Sequence, residues 1–170
     1  MKIENFRTLF ETGLRYAYDC EQKLVKKGIP SMIEASKSQE LRSALEQHLQ
    51  ETRQHVLRIE RIFSILGVEA KKEDNDVIDE ITKAAERMIK ATDEGSPLRD
   101  AVVIVGGNEV EHYEIAVYGS LVSFAKRLGL NEAADLLEQT LNEEKAADAK
   151  LTAIGERSVN EQAARERRAA

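Results

Sequence analysis

Apolar residues recur at three- and four-residue steps along most of this chain, the spacing of the buried stripe of an amphipathic helix. The pattern predicts four long helices, which run from about Glu4 to Lys27, from Ser36 or Ser38 to Leu66, from Pro97 to Arg127, and onward from Asn131. The segment Gly28-Ile29-Pro30 either breaks or kinks the first of these helices. Ser96 and Asn131 are placed to cap the third and fourth helices.

A shorter amphipathic helix is predicted from Val77 to about Ala91, between the second and third long helices. Its position suits a crossover connection rather than a member of the central bundle. The chain is therefore predicted to be all-α, a four-helix bundle with an additional short helix in the crossover connection. We assign the bundle to residues 1–156 and expect residues 157–170 to form a polar C-terminal tail.

The third helix is unusual because residues 101–107 are apolar on every side and residues 115–124 nearly so. A helix that is apolar all round is a buried one, yet Glu109, Glu111 and Glu114 lie between these stretches. Buried carboxylates need metal ions or basic partners. Three glycines in the same helix permit either close helix approach or a local irregularity: Gly106, Gly107 and Gly119.

Ionisable side chains also interrupt the apolar stripes of the other helices. At about 100° per residue, His48 and His55 fall inside the stripe of the second helix and Glu51 falls on its edge. Glu144 and Asp148 occupy stripe positions of the fourth helix, where surface carboxylates are not expected. Glu21 faces inward, or nearly so, from the first helix. Such groups are costly to bury without partners, although a half-exposed polar seam would also give this pattern.

The inward acids are spaced alike in the two halves of the chain. Glu21 and Glu51 are 30 residues apart, as are Glu114 and Glu144. Glu51 precedes His55 by four residues, as Glu144 precedes Asp148. Two antiparallel helix pairs could bring both sets to one depth, the arrangement of a carboxylate-bridged two-metal site. Matching spacing among many acidic residues can also arise by chance, but the inward facing of the last pair favours the metal site.

Composition limits the alternatives. The chain has 170 residues, 33% of them charged, and a net charge of −6, which argues against a nucleic-acid partner. No apolar run reaches the about 18 residues of a membrane span, and the N-terminus has no signal-peptide core. We therefore expect a cytoplasmic protein without a membrane partner. The single cysteine, Cys20, excludes an internal disulfide framework and is expected to be a small buried hydrophobe.

Four segments resemble the bacterial stress-associated YciE/YciF-type ferritin-like proteins: Glu21–Leu24, His48–Thr52, Glu111–Gly119 and Glu143–Asp148. The resemblance extends to about Gly155, and the run Glu-His-Tyr-Glu-Ile that begins at Glu111 is its most specific part. It implies a ferritin-like four-helix bundle with an extra connecting helix, and homodimers. One departure is that the wider ferritin-like pattern places Glu and His at i and i+3, whereas the pairs here stand at i and i+4. Asp148 also replaces the second histidine.

We expect from this a di-iron or di-manganese carboxylate protein, with zinc as a further option, that acts on peroxide or oxygen in stress defence. In this hypothesis Glu51 and Glu144 bridge two metal ions and Glu21 and Glu114 are terminal ligands. The remaining candidate ligands are His55 and Asp148, which complete the two ions, and Glu111, an additional or alternate ligand.

Three further side chains near these positions have expected roles. His48 lies seven residues from His55, about 10 Å along the helix axis, which is too far for both to bind one ion easily. We therefore expect His48 to be structural or to support a ligand. Tyr18 and Tyr118 either hydrogen-bond a ligand, take part in one-electron chemistry, or are core residues with a satisfied hydroxyl.

Two other functions remain compatible with the sequence. The first is a non-catalytic structural or interaction protein, a helical homodimer whose polar seam binds metal weakly or not at all. The second is iron binding or storage, which is less favoured because nothing in the chain indicates a self-assembling cage.

Overall fold

The computed structural model describes residues 2–166, within which there are helices and no strands. In chain order the helices are α1 (Phe6–Lys23), α2 (Ile29–Ala35), α3 (Gln39–Leu66), α4 (Asp76–Lys90), α5 (Pro97–Arg127), α6 (Asn131–Ile154) and α7 (Asn160–Arg165), with π-helical turns at Leu24–Gly28 and Gly155–Val159. The long helices α1, α3, α5 and α6 form the bundle and α4 lies in the connection from α3 to α5, as predicted. None of the helices in residues 2–166 is long and apolar enough to cross a membrane.

The helix starts follow the expected capping chemistry in most cases. Ser38, not Ser36, caps α3, since its hydroxyl accepts the backbone N–H of Leu41 at 3.3 Å. Ser96 caps α5 as predicted. The prediction that Asn131 caps α6 is wrong, because Asn131 is already the first helical residue and no side chain caps this end.

The first helical segment continues past Pro30 instead of ending there. The turn Leu24–Gly28 is π-helical, and the backbone N–H of Ile29 reaches back five residues to the carbonyl of Leu24. Proline has no N–H to donate, and a wider turn leaves room for its ring. The chain therefore continues into α2, where Pro30 lies in the first turn.

The bundle core consists of two apolar clusters, one toward each end. The first contains Phe10 and Leu14 of α1, Leu121 of α5, Leu137 of α6, and four residues of α3, namely Ile59, Ile62, Phe63 and Leu66. The second contains Leu24, Leu41 and Leu45, Val103, Ile104 and Val110, and Leu151 and Ile154. On α3, α5 and α6 the residues between these two sets form a separate layer at the middle of the bundle, and this layer contains the ionisable side chains.

The connection before α4 is anchored to α1 by Asp19, whose side chain is fully buried. Its carboxylate accepts hydrogen bonds from Lys72 Nζ at 2.8 Å and from the backbone N–H of Asn75 at 2.9 Å. Asn75 in turn caps α4 by accepting the N–H of Ile78, which is completely buried. These contacts hold α4 on the outside of the bundle against α5.

The C-terminal region differs from the expected polar tail. Helical structure continues through Gly155–Val159 and α7, and Val159 is buried with the second apolar cluster. Glu166 accepts the backbone N–H of Leu98 at the start of α5, at 3.2 Å. The ordered fold thus extends ten residues beyond the predicted boundary at 156. The rest of the predicted tail, residues 167–170, lies outside the described residues.

The glycines of α5 serve close packing, and α5 is continuous through them. A Cβ at Gly106 would lie 2.9 Å from Ala85 Cβ of α4, and one at Gly107 would lie 2.7 Å from Leu151 Cδ1 of α6. A Cβ at Gly119 would meet nothing within 4 Å. Of the two explanations left open by the sequence, close helix approach therefore holds at the first two positions.

We predict opposite effects for two alanine substitutions in α5. Gly119→Ala should raise the free energy of unfolding by about 0.5–1 kcal/mol, because alanine loses less backbone entropy in a helix and the space is open. Gly106→Ala should lower it by about 1–3 kcal/mol, because the rigid Ala85 methyl cannot move without displacing α4. Urea unfolding of both variants measures the difference, and a stabilised Gly106→Ala would contradict the close packing of α4.

Candidate metal centre

The middle layer of the bundle contains two imidazoles and four carboxylates, none more than 6% exposed. All four long helices contribute to it: Glu21 from α1, His48 and His55 from α3, Glu111 and Glu114 from α5, and Glu144 from α6. Ionised groups are far more costly to bury than neutral polar ones unless opposite charges or metal ions accompany them. The layer is therefore the strongest candidate for a functional site.

The first group of ligating atoms joins three helices. Glu21, His55 and Glu144 each offer one atom, and these atoms lie within 4.8 Å of one another. His55 Nδ1 is 2.9 Å from Glu144 Oε1 and 3.5 Å from Glu21 Oε1. All three side chains are completely buried.

A second group contains His48, Glu111 and again Glu144. His48 Nε2 is 3.1 Å from Glu111 Oε1 and 3.7 Å from Glu144 Oε2. Glu144 thus presents Oε1 to the first group and Oε2 to the second. A carboxylate with one oxygen in each of two neighbouring groups has the geometry of a bridging ligand.

His48 lies where a ligand would stand, which differs from the expected supporting role. His48 and His55 are separated by a rise of about 10 Å along α3, and they belong to different groups of potential ligand atoms. Their side chains converge, however, so that the ring centroids are 6.3 Å apart. His55 belongs to the first group and His48 to the second. Glu144 belongs to both groups and joins them.

The orientation of His55 is fixed from outside the layer. Its Nε2 lies 2.8 Å from Glu143 Oε2, and Arg58 donates hydrogen bonds to both oxygens of Glu143. Burial would raise the pKa of Glu143, but Arg58 and His55 lower it, so the carboxylate is charged. An imidazole held in this way by a carboxylate keeps its other nitrogen for a metal. The sequence pattern did not single out Glu143 or Arg58; the position of Arg58, three residues after His55 on α3, was the available signal.

Two side chains hold carboxylates of the layer in place. Tyr118 is 1% exposed, and its hydroxyl donates a short hydrogen bond to Glu21 Oε1. The Cys20 thiol donates to Glu114 Oε1 at 3.5 Å, and Cys20 is buried as predicted. Tyr18 lies apart from the centre, because its hydroxyl donates to Glu60 at 2.7 Å.

Three predicted ligands lie outside both groups: Glu114, which is buried within the same layer, and Glu51 and Asp148, which are partly exposed. The Glu51 side chain is 32% exposed, with Oε2 3.5 Å from His48 Nδ1. The Asp148 side chain is 23% exposed, and its Oδ1 is 3.3 Å from Nε2 of the exposed His112. Four residues rotate a helix by about 400°, or about 40° beyond one full turn. Glu51 is therefore turned about 40° from His55 on α3, and Asp148 is turned about 40° from Glu144 on α6. The structure brings Glu21, His55, Glu111, Glu114 and Glu144 into the buried layer and leaves Glu51 and Asp148 at its margin.

The inward positions about one helical turn from His55 and from Glu144 are occupied by residues that cannot serve as carboxylate or imidazole ligands. Thr52 stands three residues before His55, is 1% exposed, and donates its hydroxyl to the carbonyl of His48 at 2.8 Å. Ala147 stands three residues after Glu144 and is 9% exposed. α3 thus supplies imidazoles without a fully inward carboxylate, and α6 supplies the carboxylate Glu144 without an imidazole.

The electrostatics of the layer show how burial and charge compete. Burial raises the pKa of Glu144 to about 8, although His55 acts in the opposite direction. Burial, followed by the charges of Glu21 and Glu144, raises the pKa of Glu114 well above its usual range. Burial alone would lower the pKa of His55, but the carboxylates of Glu21 and Glu144 raise it to about 10. In the absence of cations the layer therefore retains protons near neutral pH.

The donor set fits divalent cations. Several buried atoms of the layer make no hydrogen bond within the described part of the chain, namely one oxygen each of Glu21, Glu111 and Glu114, both oxygens of Glu144, and Nδ1 of His48 and His55. His55 Nδ1 and Glu144 Oε1 are close but are not aligned as donor and acceptor. Unsatisfied buried oxygen and nitrogen atoms that converge from four helices can hold a metal ion.

A narrow cleft between α3 and α6 leads toward the second group. Its volume is about 60 Å³, and its lining includes His48, Glu51, Glu111, Ala147 and Lys150. We refer to it as the α3–α6 cleft. Glu51 and Lys150 lie toward solvent, whereas Glu111 is buried, so the cleft connects the surface with the layer.

Comparison with known sequences places the chain among proteins of this fold. A family model described as "Domain of unknown function (DUF892)" matches residues 5–164. Protein YciF of Escherichia coli (strain K12) is 34% identical over 164 residues, which span 96% of this chain and 98% of that protein.

Solved structures agree with the sequence comparison. The crystal structure of the Escherichia coli stress protein YciF matches with a TM-score of 0.87 and 32% identity, covering 93% of this chain and 99% of that chain. YcfI from Rhodopseudomonas palustris matches with a TM-score of 0.86 and 34% identity, over 89% of this chain and 95% of that chain. A protein from Xanthomonas campestris, 23% identical with a TM-score of 0.72 over 92% and 94% of the two chains, shares the fold.

These matches confirm the resemblance found in the sequence and the ferritin-like bundle that it implied. The family model and the curated relative both extend over nearly the whole described chain, including the residues beyond 156. The protein belongs to the DUF892 family.

Proposed function

We propose that this protein binds two divalent metal ions in its middle layer and uses them to react with peroxide or oxygen under stress. The observation that carries the proposal is the position of Glu144, which has one oxygen in the group of Glu21 and His55 and the other in the group of His48 and Glu111. Carboxylate-bridged two-metal sites in four-helix bundles are built in this way.

The choice of metal follows from the donors. Four carboxylates and two imidazoles form an oxygen-rich set, which suits iron or manganese better than copper. Zinc would also bind such a set, because affinity rises along the first transition series. We propose iron, since a redox-active pair of ions would supply the electrons that reduce an oxidant.

The residues around the ligands have distinct tasks. Arg58 and Glu143 hold the His55 ring with Nδ1 toward Glu144 and Glu21. Tyr118 fixes Oε1 of Glu21, the oxygen that lies 3.5 Å from His55 Nδ1, while Oε2 makes no hydrogen bond. Glu114, with its raised pKa, can hold or release a proton beside the two groups. Such preorganisation keeps the ligand atoms in place before an ion arrives.

The surroundings of the layer restrict the substrate. The two apolar clusters lie on either side of the layer. The α3–α6 cleft, of about 60 Å³, admits small molecules only. Peroxide and oxygen are of this size, whereas an organic substrate of several rings is not. The relative YciF is described as a stress protein, which supports a role in stress defence.

A structural or interaction role is the second candidate, because the relative YcfI is described as a candidate structural protein. Ile3, Phe6, Tyr16 and Val77 are exposed apolar side chains around α1. Ile3, Tyr16 and Val77 line a groove of about 580 Å³ that α5 also borders. We propose that a second copy of the chain covers this face in a homodimer. Metal analysis of untagged protein separates the two candidates, since a purely structural dimer would contain no stoichiometric metal.

We predict that Glu144→Leu abolishes metal-dependent stabilisation while Asp148→Leu preserves it. At about 100-fold excess over Kd, a bound ion should stabilise the wild type by about 2.7 kcal/mol per site. Without metal, Glu144→Leu should be at least as stable as the wild type, because a buried acid is replaced by an apolar side chain. Thermal unfolding with and without manganese or anaerobic iron measures both effects, and an equal gain in all three proteins would contradict the bridging role of Glu144.

His48→Gln tests the second group separately. If His48 is a ligand, the variant should bind about one ion per chain where the wild type binds two, because the group of Glu21 and His55 remains intact. Metal content after gel filtration, determined by inductively coupled plasma mass spectrometry, gives the stoichiometry. An unchanged metal content would show that His48 has the supporting role expected from the sequence.

The metal-free protein should lose stability as pH rises from about 4.5 to about 10, the range spanned by the unfolded and folded pKa values of Glu144 and His55. Glu144 has a folded-state pKa raised from 4.5 to about 8, and His55 from 6.5 to about 10. A raised folded pKa contributes stability below the unfolded value, and this stability is lost as pH rises through the folded value. Glu144→Gln should therefore show a shallower decline. Unfolding midpoints in chelator-treated samples check this, and parallel declines in the two proteins would exclude the contribution of Glu144.

A further inference from the structure

We infer that divalent cations reach the centre through the α3–α6 cleft, where Glu51 captures them and Lys150 slows them. This inference rests on the proposed metal function and assigns two residues to loading rather than to the bound state. The inference gives a role to Glu51. Its position on α3 predicts a ligand, but in the structure it lies outside both ligand groups.

The first argument is access. The cleft is lined by the small side chains Ala44, Ala146 and Ala147, together with His48 and Glu111 of the second group. The larger groove of about 580 Å³ on the α1 side is lined by none of the buried carboxylates or histidines of the layer. The first group is completely buried. An ion that follows the α3–α6 cleft therefore meets the second group before the first.

The second argument is a continuous series of donors along this route. The Glu51 carboxylate is partly exposed, and Gln47 Nε2 donates to its Oε1 at 2.8 Å. Its Oε2 lies 3.5 Å from Nδ1 of His48, a buried nitrogen without a hydrogen bond. On the other side of the same ring, Nε2 lies 3.1 Å from Glu111. One imidazole thus spans the distance from the mouth of the cleft to the layer, and a cation can exchange ligands stepwise along it.

The third argument is the charge at the mouth. Lys150 is exposed and lines the cleft, where its Nζ donates to Gln47 Oε1 at 2.7 Å. The same Gln47 side chain holds Glu51, so the ammonium and the carboxylate are fixed at one opening. A positive charge there repels an approaching divalent cation and leaves a neutral oxidant unaffected. Lys150 should therefore limit the rate of loading more than the amount of metal bound.

The experiment is stopped-flow mixing of the metal-free full-length protein with cobalt(II), followed by the visible absorbance of the bound ion. Lys150→Gln should increase the loading rate about two- to tenfold at low salt, with the gain diminishing as ionic strength rises. Lys145→Gln is the matched control, since Lys145 lies on the same helix outside the cleft lining and carries the same charge. Loss of the site would lower the final absorbance, and thermal unfolding of Lys150→Gln checks that a faster rate does not come from a loosened fold.

Two further variants test the route and the capture residue. Ala147→Leu narrows the cleft and should slow loading, and Glu51→Gln should slow it as well, both with the wild-type final absorbance. Equal rates for Lys150→Gln and Lys145→Gln, or a wild-type rate for Ala147→Leu, would overturn the route alone. A reduced final absorbance for Glu51→Gln would show that Glu51 is a resident ligand and overturn its capture role. A wild-type protein that binds no cobalt would overturn the proposed function and the route together.

Discussion

The burial of ionisable groups at mid-height of the bundle is the constraint on which the rest of this structure depends. Four carboxylates and two imidazoles are enclosed there, none more than 6% exposed. Removing such charges from water costs several kcal/mol each unless cations or protons compensate. The two apolar clusters on either side supply the stability that allows this. A bundle of the same length with an uninterrupted apolar core would be easier to fold, so the layer is more simply explained by function than by architecture.

Much of the buried layer could be predicted from the sequence, because helical periodicity shows which face of a helix each residue occupies. The stripe positions of His55 and Glu144 and the all-apolar surroundings of Glu111 and Glu114 already indicated burial. The matching spacing in the two halves indicated a common depth. Periodicity could not resolve a difference of about 40° in the direction of two side chains around a helix axis, which is the difference between Glu144 and Asp148 on α6. That angle decides between a fully buried side chain and one beside the exposed His112.

The halves of the bundle are therefore less alike than their spacing suggests. α3 contributes two imidazoles and has Thr52 at the inward position three residues before His55. α6 contributes the shared carboxylate Glu144 and has Ala147 three residues after it, beside the cleft. The small Ala147 side chain leaves space at the wall that His48 also borders. His48 of α3 thus lies near Ala147, where α6 has no imidazole. This arrangement depends on helix packing that a single sequence does not reveal.

In the proposed metal site, protons and metal ions would be alternatives, and their exchange would link stability, binding and access. The raised pKa values of Glu144 and His55 show that the metal-free layer keeps protons which a divalent cation must displace. Those protons need a path to water, and His48 connects the second group to the partly exposed Glu51 at the cleft. Before its Nε2 binds an ion, this imidazole is placed to pass a proton from the second group outward to Glu51. A metal centre closed on every side would load its ions slowly, and the alanine side chains that line the α3–α6 cleft would give the proposed centre a route for exchange.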